Sequence, residues 1–438
     1  AYQYDAVGNL TRITNARNNQ TNFTYDNANR LTQVRDALNQ TTTYGYDAAG
    51  NRTSMQDRKG TNHAYTYDQA NRLTQLAAGG TTISYTYNAT GNRLTMVDPT
   101  GTTSYQYDSL DRLTRTTYPD GRTVQTAYDD AGNRTNLTYP GGTVSQSYTY
   151  DAANRLSRIT QGTLQWNFSY DGAGNRTQLT QPNGTSTVYA YLVNNWLASI
   201  EHKASGGATL QAFTYSYDSN GNRLSQTDST GTTSFTYDAL NRLTQATYPA
   251  GYGTWSWSYD AVGNRTQQVA PGGTTGYTYD ANNRLTQAAS VIYSYDANGN
   301  LTSTSAGQTF TYNPFNQMTQ ATGPGGTVTH TFNGDGLKTR RVGPDGTTKY
   351  YYDGIRPIWE TDGGGAMTAQ LDQDIFGNLL SRNEPTTRRY YHFDGLGSTT
   401  ALTNENGTVV ATMLYDAWGL QRTSTGSGHG KYRYTGQS

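Results

Sequence analysis

One ten-residue pattern returns along most of the chain and limits what it can fold into. Tyr65-Thr66-Tyr67-Asp68-Gln69-Ala70-Asn71-Arg72-Leu73-Thr74 has near copies from end to end. Tyr25-Asp26 leads to Asn29-Arg30-Leu31-Thr32, Tyr107-Asp108 to Asp111-Arg112-Leu113-Thr114, and Tyr150-Asp151 to Asn154-Arg155-Leu156-Ser157. Tyr237-Asp238 leads to Asn241-Arg242-Leu243-Thr244. A variant carries glycine, as in Tyr46-Asp47-Ala48-Ala49-Gly50-Asn51-Arg52 and Tyr259-Asp260-Ala261-Val262-Gly263-Asn264-Arg265. The period is about 20–22 residues, the size of one supersecondary unit that cannot bury its own face and needs neighbours.

Each unit reads as a β-hairpin. Tyr65 and Tyr67 lie at period two, so they share one face of a strand, and tyrosine and threonine favour strands. Asp68 through Asn71 is a tight loop, because Asn, Asp and Gly tolerate the left-handed backbone that such loops require. The second turn is looser, as at Pro119-Asp120-Gly121, Pro140-Gly141-Gly142 and Pro271-Gly272-Gly273. Asp68 and Arg72 are expected to fasten the loop, by an ion pair or by a carboxylate that holds loop amides. Tyr65 and Tyr67 are expected to build aromatic rows with neighbouring units, and Leu73 to face the opposite side. About 20 units predict about 40 strands and little helix.

Composition agrees with thin β layers. Lys+Arg and Asp+Glu both number 32, and the formal net charge is zero, which gives no electrostatic reason to expect nucleic acid or an anionic membrane surface. Lysine occurs only at Lys59, Lys203, Lys338, Lys349 and Lys431, so arginine carries most of the positive charge, much of it at a fixed repeat position. That suits structural pairing of the guanidinium fork with carboxylates. Aliphatic residues are sparse, and 38 tyrosines supply the area to bury; no thick aliphatic core is expected. Cysteine is absent, which excludes disulfides and thiolate chemistry. No run of about 18 apolar residues exists, so no transmembrane helix is expected. The chain opens at Ala1, already inside a repeat and without a methionine, and is expected to be a piece of a longer protein or a processed product.

Past about residue 320 the units diverge, which gives residues 1–320 as the repeat array and 321–438 as divergent repeats. Near the end come Arg389-Tyr390-Tyr391-His392-Phe393-Asp394-Gly395-Leu396-Gly397, Tyr415-Asp416-Ala417-Trp418-Gly419 and Tyr432-Arg433-Tyr434-Thr435-Gly436-Gln437.

The Tyr-Asp units resemble the YD repeats of Rhs proteins, Tc toxin shell components, bacterial wall-associated toxins and the teneurins. Residues 390–437 look like part of the Rhs-associated core that closes such arrays. The resemblance covers essentially the whole chain. It implies an all-β fold of tandem hairpins in a long curled or spiralling antiparallel sheet, forming a shell, tube or band. It also implies a function: a structural segment of a secreted bacterial shell that encapsulates or scaffolds a passenger or toxin polypeptide, or joins further shell segments. The alternative is an extracellular adhesion or fibre module that binds glycans or partner cells. In toxin members the core continues into a self-cleaving region, whose aspartates have no counterpart before Ser438; no catalytic residue is carried over.

Other motifs are weighed against the repeat. His392 and Asp394 share a strand face, but no nucleophile or third ligand accompanies them, so a structural role is favoured over catalysis or metal binding. His63, His202, His330 and His429 are expected in exposed loops. Asp171-Gly172-Ala173-Gly174-Asn175 and Asp296-Ala297-Asn298-Gly299-Asn300 faintly resemble calcium loops but lack the bidentate glutamate. Gly426 to Lys431 matches a phosphate loop only in composition. Trp255 and Trp257 occupy the repeat's own aromatic positions and are expected to pack, with sugar stacking the less favoured role. The expectation is therefore no enzyme, no cofactor and no metal, catalytic or cofactor-binding residue.

Overall fold

The computed structural model describes residues 1–249, 251–426 and 432–433. These residues form 42 strands, β1 to β42 in chain order, and no helix. The chain forms two compact units, each from separate stretches. Unit 1 holds residues 1–122, 258–268 and 274–349; unit 2 holds residues 123–257, 269–273 and 350–438. Inside each unit, a strand pairs antiparallel with the next strand of its stretch, as the hairpin reading predicts.

The repeat hairpin is shown well by β7 (Asn62–Tyr67) and β8 (Leu73–Ala78). Tyr65 lies opposite Leu76, Thr66 opposite Gln75 and Tyr67 opposite Leu73, with the register shifting between Thr66 and Tyr67. Thr74 is the extra residue of this bulge, and its hydroxyl donates to the Thr66 carbonyl at 3.1 Å. Leu73 was expected on the opposite face. The bulge instead brings it directly across from Tyr67, and directly opposed residues share a face. The same step recurs where Tyr25 meets Leu31 and where Tyr150 meets Leu156.

In unit 1 the loops of the later stretch sit on the second turns of the earlier one. Asn282 donates to Asp36 at 2.8 Å and Asn298 to Asp57 at 2.7 Å. The Gly334 amide donates to Asp98 at 2.6 Å. Gly79, with φ of 53°, lies so close to Pro314 that a Cβ there would stand 2.4 Å from the proline ring.

Unit 2 differs in its later stretch. There β36 (Arg356–Thr361), β37 (Met367–Gln373), β38 (Leu379–Glu384), β39 (Thr387–Phe393), β40 (Thr399–Thr403) and β41 (Val409–Tyr415) are largely buried on both faces. One face carries an apolar cluster of Leu371, Leu379, Tyr391, Leu402, Ala411 and Met413, with Tyr432 against it. The other meets residues 139–215 through polar and aromatic side chains. The expectation of thin layers without an aliphatic core therefore fails for β36–β41. The apolar residues there are few, but they are gathered on one face.

Candidate functional site

The recurrent functional element is the Tyr-Asp loop, which comes in two forms. The third residue after the aspartate is always the one in the left-handed region. It alternates between glycine and Asn or Asp, in the order Gly8, Asn29, Gly50, Asn71, Gly91 and Asp111, and so on to Gly336. In both forms the aspartate uses one oxygen to accept loop amides. Asp68 Oδ1 takes the Ala70 and Arg72 amides at 2.9 and 3.0 Å, and Asp47 Oδ1 takes the Asn51 amide at 2.8 Å. In both, these bonds hold the carboxyl below its ordinary range. The largest cause at Asp68 is the Arg72 amide bond; at Asp47 it is the Asn51 side chain.

The two forms diverge at the next two positions. In the Asn form, the fourth residue is arginine except at Trp196 and Gln317. Arg72 Nε donates to Asp68 Oδ2 at 2.7 Å, and Arg72 Nη1 reaches the Asn88 carbonyl of the next unit at 2.7 Å. Arg30 and Arg155 do the same toward Asp47 and Asp171. In the Gly form that fourth residue is asparagine. Asn51 donates to Asp47 Oδ2 at 3.0 Å and to Asn71 of the next loop at 2.8 Å. Except at Leu10, Leu301 and Lys338, the arginine moves to the fifth position, opposite the second tyrosine, as Arg52 lies opposite Tyr46. The expected loop ion pair is thus present in the Asn form. In the Gly form asparagine takes over that task and the arginine is turned onto the tyrosine face.

A third bond ties unit to unit. The second tyrosine of each pair donates its hydroxyl to a carbonyl of the preceding hairpin, as in Tyr67 to Arg52 at 2.9 Å, Tyr87 to Leu73 at 2.7 Å and Tyr170 to Leu156 at 2.9 Å. A buried phenol keeps a partner in this way.

Three fifth-position arginines join one stretch of a unit to the other. In unit 1, Arg93 grips Asp335 with both terminal nitrogens at 2.6 Å. In unit 2, Arg134 grips Asp353 at 2.5 and 2.9 Å, and Arg176 holds Asp374 at 2.7 Å. Further polar contacts line the unit 2 seam. Asp372, fully buried, accepts from Gln146 at 2.9 Å, from Ser381 and from Arg388. Burial pushes its carboxyl up, and Arg388 works against that. Gln181 donates to the Tyr391 carbonyl at 3.0 Å.

The histidines fall on strands. His63 (β7), His202 in β20 (Leu197–Lys203) and His330 in β33 (Gly326–Phe332) correct the exposed-loop expectation; His63 and His202 are buried. The inward phase of a strand buries whatever residue occupies it. His429 lies outside the described residues, as does the phosphate-like stretch after Gly426. His392 and His202 meet edge-on, 4.9 Å between ring centres. His202 bonds Thr187 Oγ1 at 2.9 Å and the Phe393 carbonyl at 3.0 Å, and His392 bonds Thr403 Oγ1 at 3.0 Å. Burial pushes His202 down to about 4 and His392 well below its ordinary value. Asp394 does not pair with His392: its Oδ1 accepts the Leu396 and Ser398 amides, both at 2.9 Å, as in any repeat loop.

The remaining motifs also dissolve into the repeat. Asp171 and Asp296 give their oxygens to the amides and side chains of Asn175 and Asn300. Trp257 is buried and meets the exposed Trp418 edge-on at 6.0 Å, and Trp255 stacks on Tyr252 at 5.7 Å. A cleft of about 910 Å³ opens in unit 2, lined by Tyr170, Arg176, Tyr189, Arg356, Phe376, Leu396 and Tyr432 among others. No sequence motif pointed to it, because its lining comes from loops up to two hundred residues and more apart in the chain.

Known proteins share this architecture. The family profile described as Teneurin YD-shell matches residues 61–147 and 230–428, well over half of the chain, and the profile described as RHS Repeat matches residues 4–39, 28–61 and 150–186. Among curated proteins, the chain is similar to the tRNA3(Ser)-specific nuclease WapA of Bacillus spizizenii, 33% identical over 92 residues, which are 20% of this chain and 4% of that protein. It is also similar to the tRNA nuclease WapA of Bacillus subtilis, 29% identical over 92 residues, with the same shares. Among solved structures, it is similar to TcdB2-TccC3-Cdc42, with a TM-score of 0.83 at 16% identity, covering 99% of this chain and 27% of that one. The Tc holotoxin pore of Photorhabdus luminescens gives 0.69 at 17% identity, covering 99% and 28%. At such identity the likeness is one of fold. The chain spans about a quarter of those solved chains and a small fraction of the curated relatives. With its alternating Tyr-Asp loops and repeated hairpins, the chain belongs to the teneurin YD-shell family and is built of RHS, or YD, repeats.

Proposed function

We propose that this chain is a wall segment of a secreted, toxin-like YD-repeat shell that encapsulates or scaffolds a passenger polypeptide. In this reading residues 1–320 form the array and residues 321–438 the divergent repeats and partial core. The observation that carries the proposal is how the repeat spends its chemistry. Aspartates, fourth-position arginines, asparagines and second tyrosines are bonded within the loop or to the adjacent hairpin. Groups committed in this way build a wall and leave little for turnover, so the wall role needs no enzyme, cofactor or metal. The fold likeness over 99% of the chain to structures containing TccC3 supports the same reading. Its partners are then a passenger or further shell segments, and its place is outside the cell or at its surface.

The test is to express the complete reading frame that contains residues 1–438 and to treat it with increasing protease. The proposal expects a polypeptide from outside this segment to survive at protease levels that digest it when expressed alone. Equal digestion of the two would refute encapsulation.

A further inference from the structure

Six hairpins place an arginine opposite the second tyrosine, at Arg52, Arg93, Arg134, Arg176, Arg223 and Arg265, and each of these arginines lies against at least one aromatic ring. The guanidinium carbon of Arg93 lies 5.5 Å from the Tyr85 ring centre and 4.7 Å from that of Tyr105. Arg134 lies 5.9 Å from Tyr148, and Arg176 lies 4.9 Å from Phe168. Each then grips an aspartate more than a hundred residues away: Asp335 and Asp374 on loops, and Asp353 at the end of a strand. Arg223, between Tyr215 and Phe235, lies near enough to Asp394 for its charge to favour that carboxylate against burial.

Arg52 belongs to the same series. Its guanidinium carbon lies 5.9 Å from the Tyr44 ring and 4.6 Å from the Tyr65 ring, nearly the Arg93 values. Yet Arg52 is exposed, and among the described residues it makes no ion pair with a carboxylate. The aspartates of its own and the next loop, Asp47 and Asp68, are taken by their own loop amides and by Asn51 and Arg72.

We propose that Arg52, held between Tyr44 and Tyr65, is a docking site for an aspartate on a tight turn of a partner polypeptide. The physical argument has two parts. Rings against the guanidinium face fix its orientation; one N–H reaches the Tyr65 hydroxyl, as Arg93 reaches that of Tyr105 while still gripping Asp335, and the in-plane edge still offers two parallel bonds to a carboxylate. Because the side chain is already fixed, little further rotamer freedom is lost on binding. The molecule itself supplies the precedent for the occupant, since Arg93 and Arg176 hold a carboxylate on a loop, Asp335 and Asp374.

The probe is the loop that fills the sister site. A cyclised, fluorescently labelled peptide of residues 331–339, containing Asp335, is titrated with the full chain and followed by polarisation. Saturable binding is expected. Affinity should fall at least tenfold for Arg52→Ala, for Arg52→Lys, which keeps charge but loses the fork, and for a peptide with Asp335→Asn. Circular dichroism identifies a variant that fails to fold, and the altered peptide tests the site on the unaltered chain. No saturable binding, or equal affinity for the Asp335 and Asn peptides, overturns the proposal.

Discussion

The hairpins over residues 20–78 and the strands β36–β41 come from one repeat but live in different surroundings. In the first region most side chains are half-buried, as are all six of residues 41–46. In the second, all five residues of β40 are buried, as are four in succession in β37 and β38. The difference teaches what a charged pair contributes. Arg72 and Asp68 remain about a third and a quarter exposed, so solvent screens them and either partner can be rehydrated if the other is lost. Arg388 and Asp372 have no such recourse: the pair is buried, and each depends on the other and on Gln146 and Ser381 for its bonds.

The largest expected effect follows from that contrast. Arg388→Ala leaves the Asp372 carboxylate buried without its cation, and should cost about 3–5 kcal/mol, measured by urea unfolding. A loss below about 1 kcal/mol would mean that this seam behaves like the exposed loops.

Acidification probes the same region. The buried fold holds His202 neutral down to about 4, whereas the unfolded chain takes up its proton near 6.5. The histidine contribution to stability should therefore be complete above about pH 6.5, fall as the pH drops toward 4 and level off below, opposed by Asp372 and Asp394, whose carboxyls burial pushes up. His202 alone accounts for about 3 kcal/mol of that loss, and His392 acts in the same direction. The repeat aspartates are held below 3.8 and titrate outside this window. His202→Gln should flatten the dependence between pH 6.5 and 4 when unfolding is repeated across that range. An unchanged slope would remove the histidine pair from the account.

The hairpin, its period and the loop fastening of Asp68 by Arg72 were legible in the sequence, because all are local and each is repeated many times. The alternation of Asn-Arg-Leu with Gly-Asn-Arg was also present in the letters, but its meaning was not drawn. One step in position sends the arginine from its own loop to the tyrosine face, since neighbouring positions point to different sides of a strand. Its partners were not legible at all. Asp335, Asp353 and Asp374 stand about two hundred residues from their arginines, and no local pattern records such a pairing. The same holds for His202 with His392 and for the double burial of β40, where Thr399-Thr400-Ala401-Leu402-Thr403 shows no apolar run. Leu73 was misplaced because a bulge residue such as Thr74 looks like any other strand threonine until its register is seen.

The central claim is that the arginine position decides what is fastened: the fourth position ties a loop and its neighbour, and the fifth, at Arg93, Arg134 and Arg176, ties separate stretches of a unit. Double-mutant cycles on Arg176 with Asp374 and on Arg72 with Asp68, each by urea unfolding with alanine replacements, test it most directly. The account predicts a coupling of about 1.5–3 kcal/mol for the first pair, whose aspartate side chain is fully buried, and below about 1 kcal/mol for the second. Equal couplings, or a larger one for Arg72 with Asp68, would contradict it.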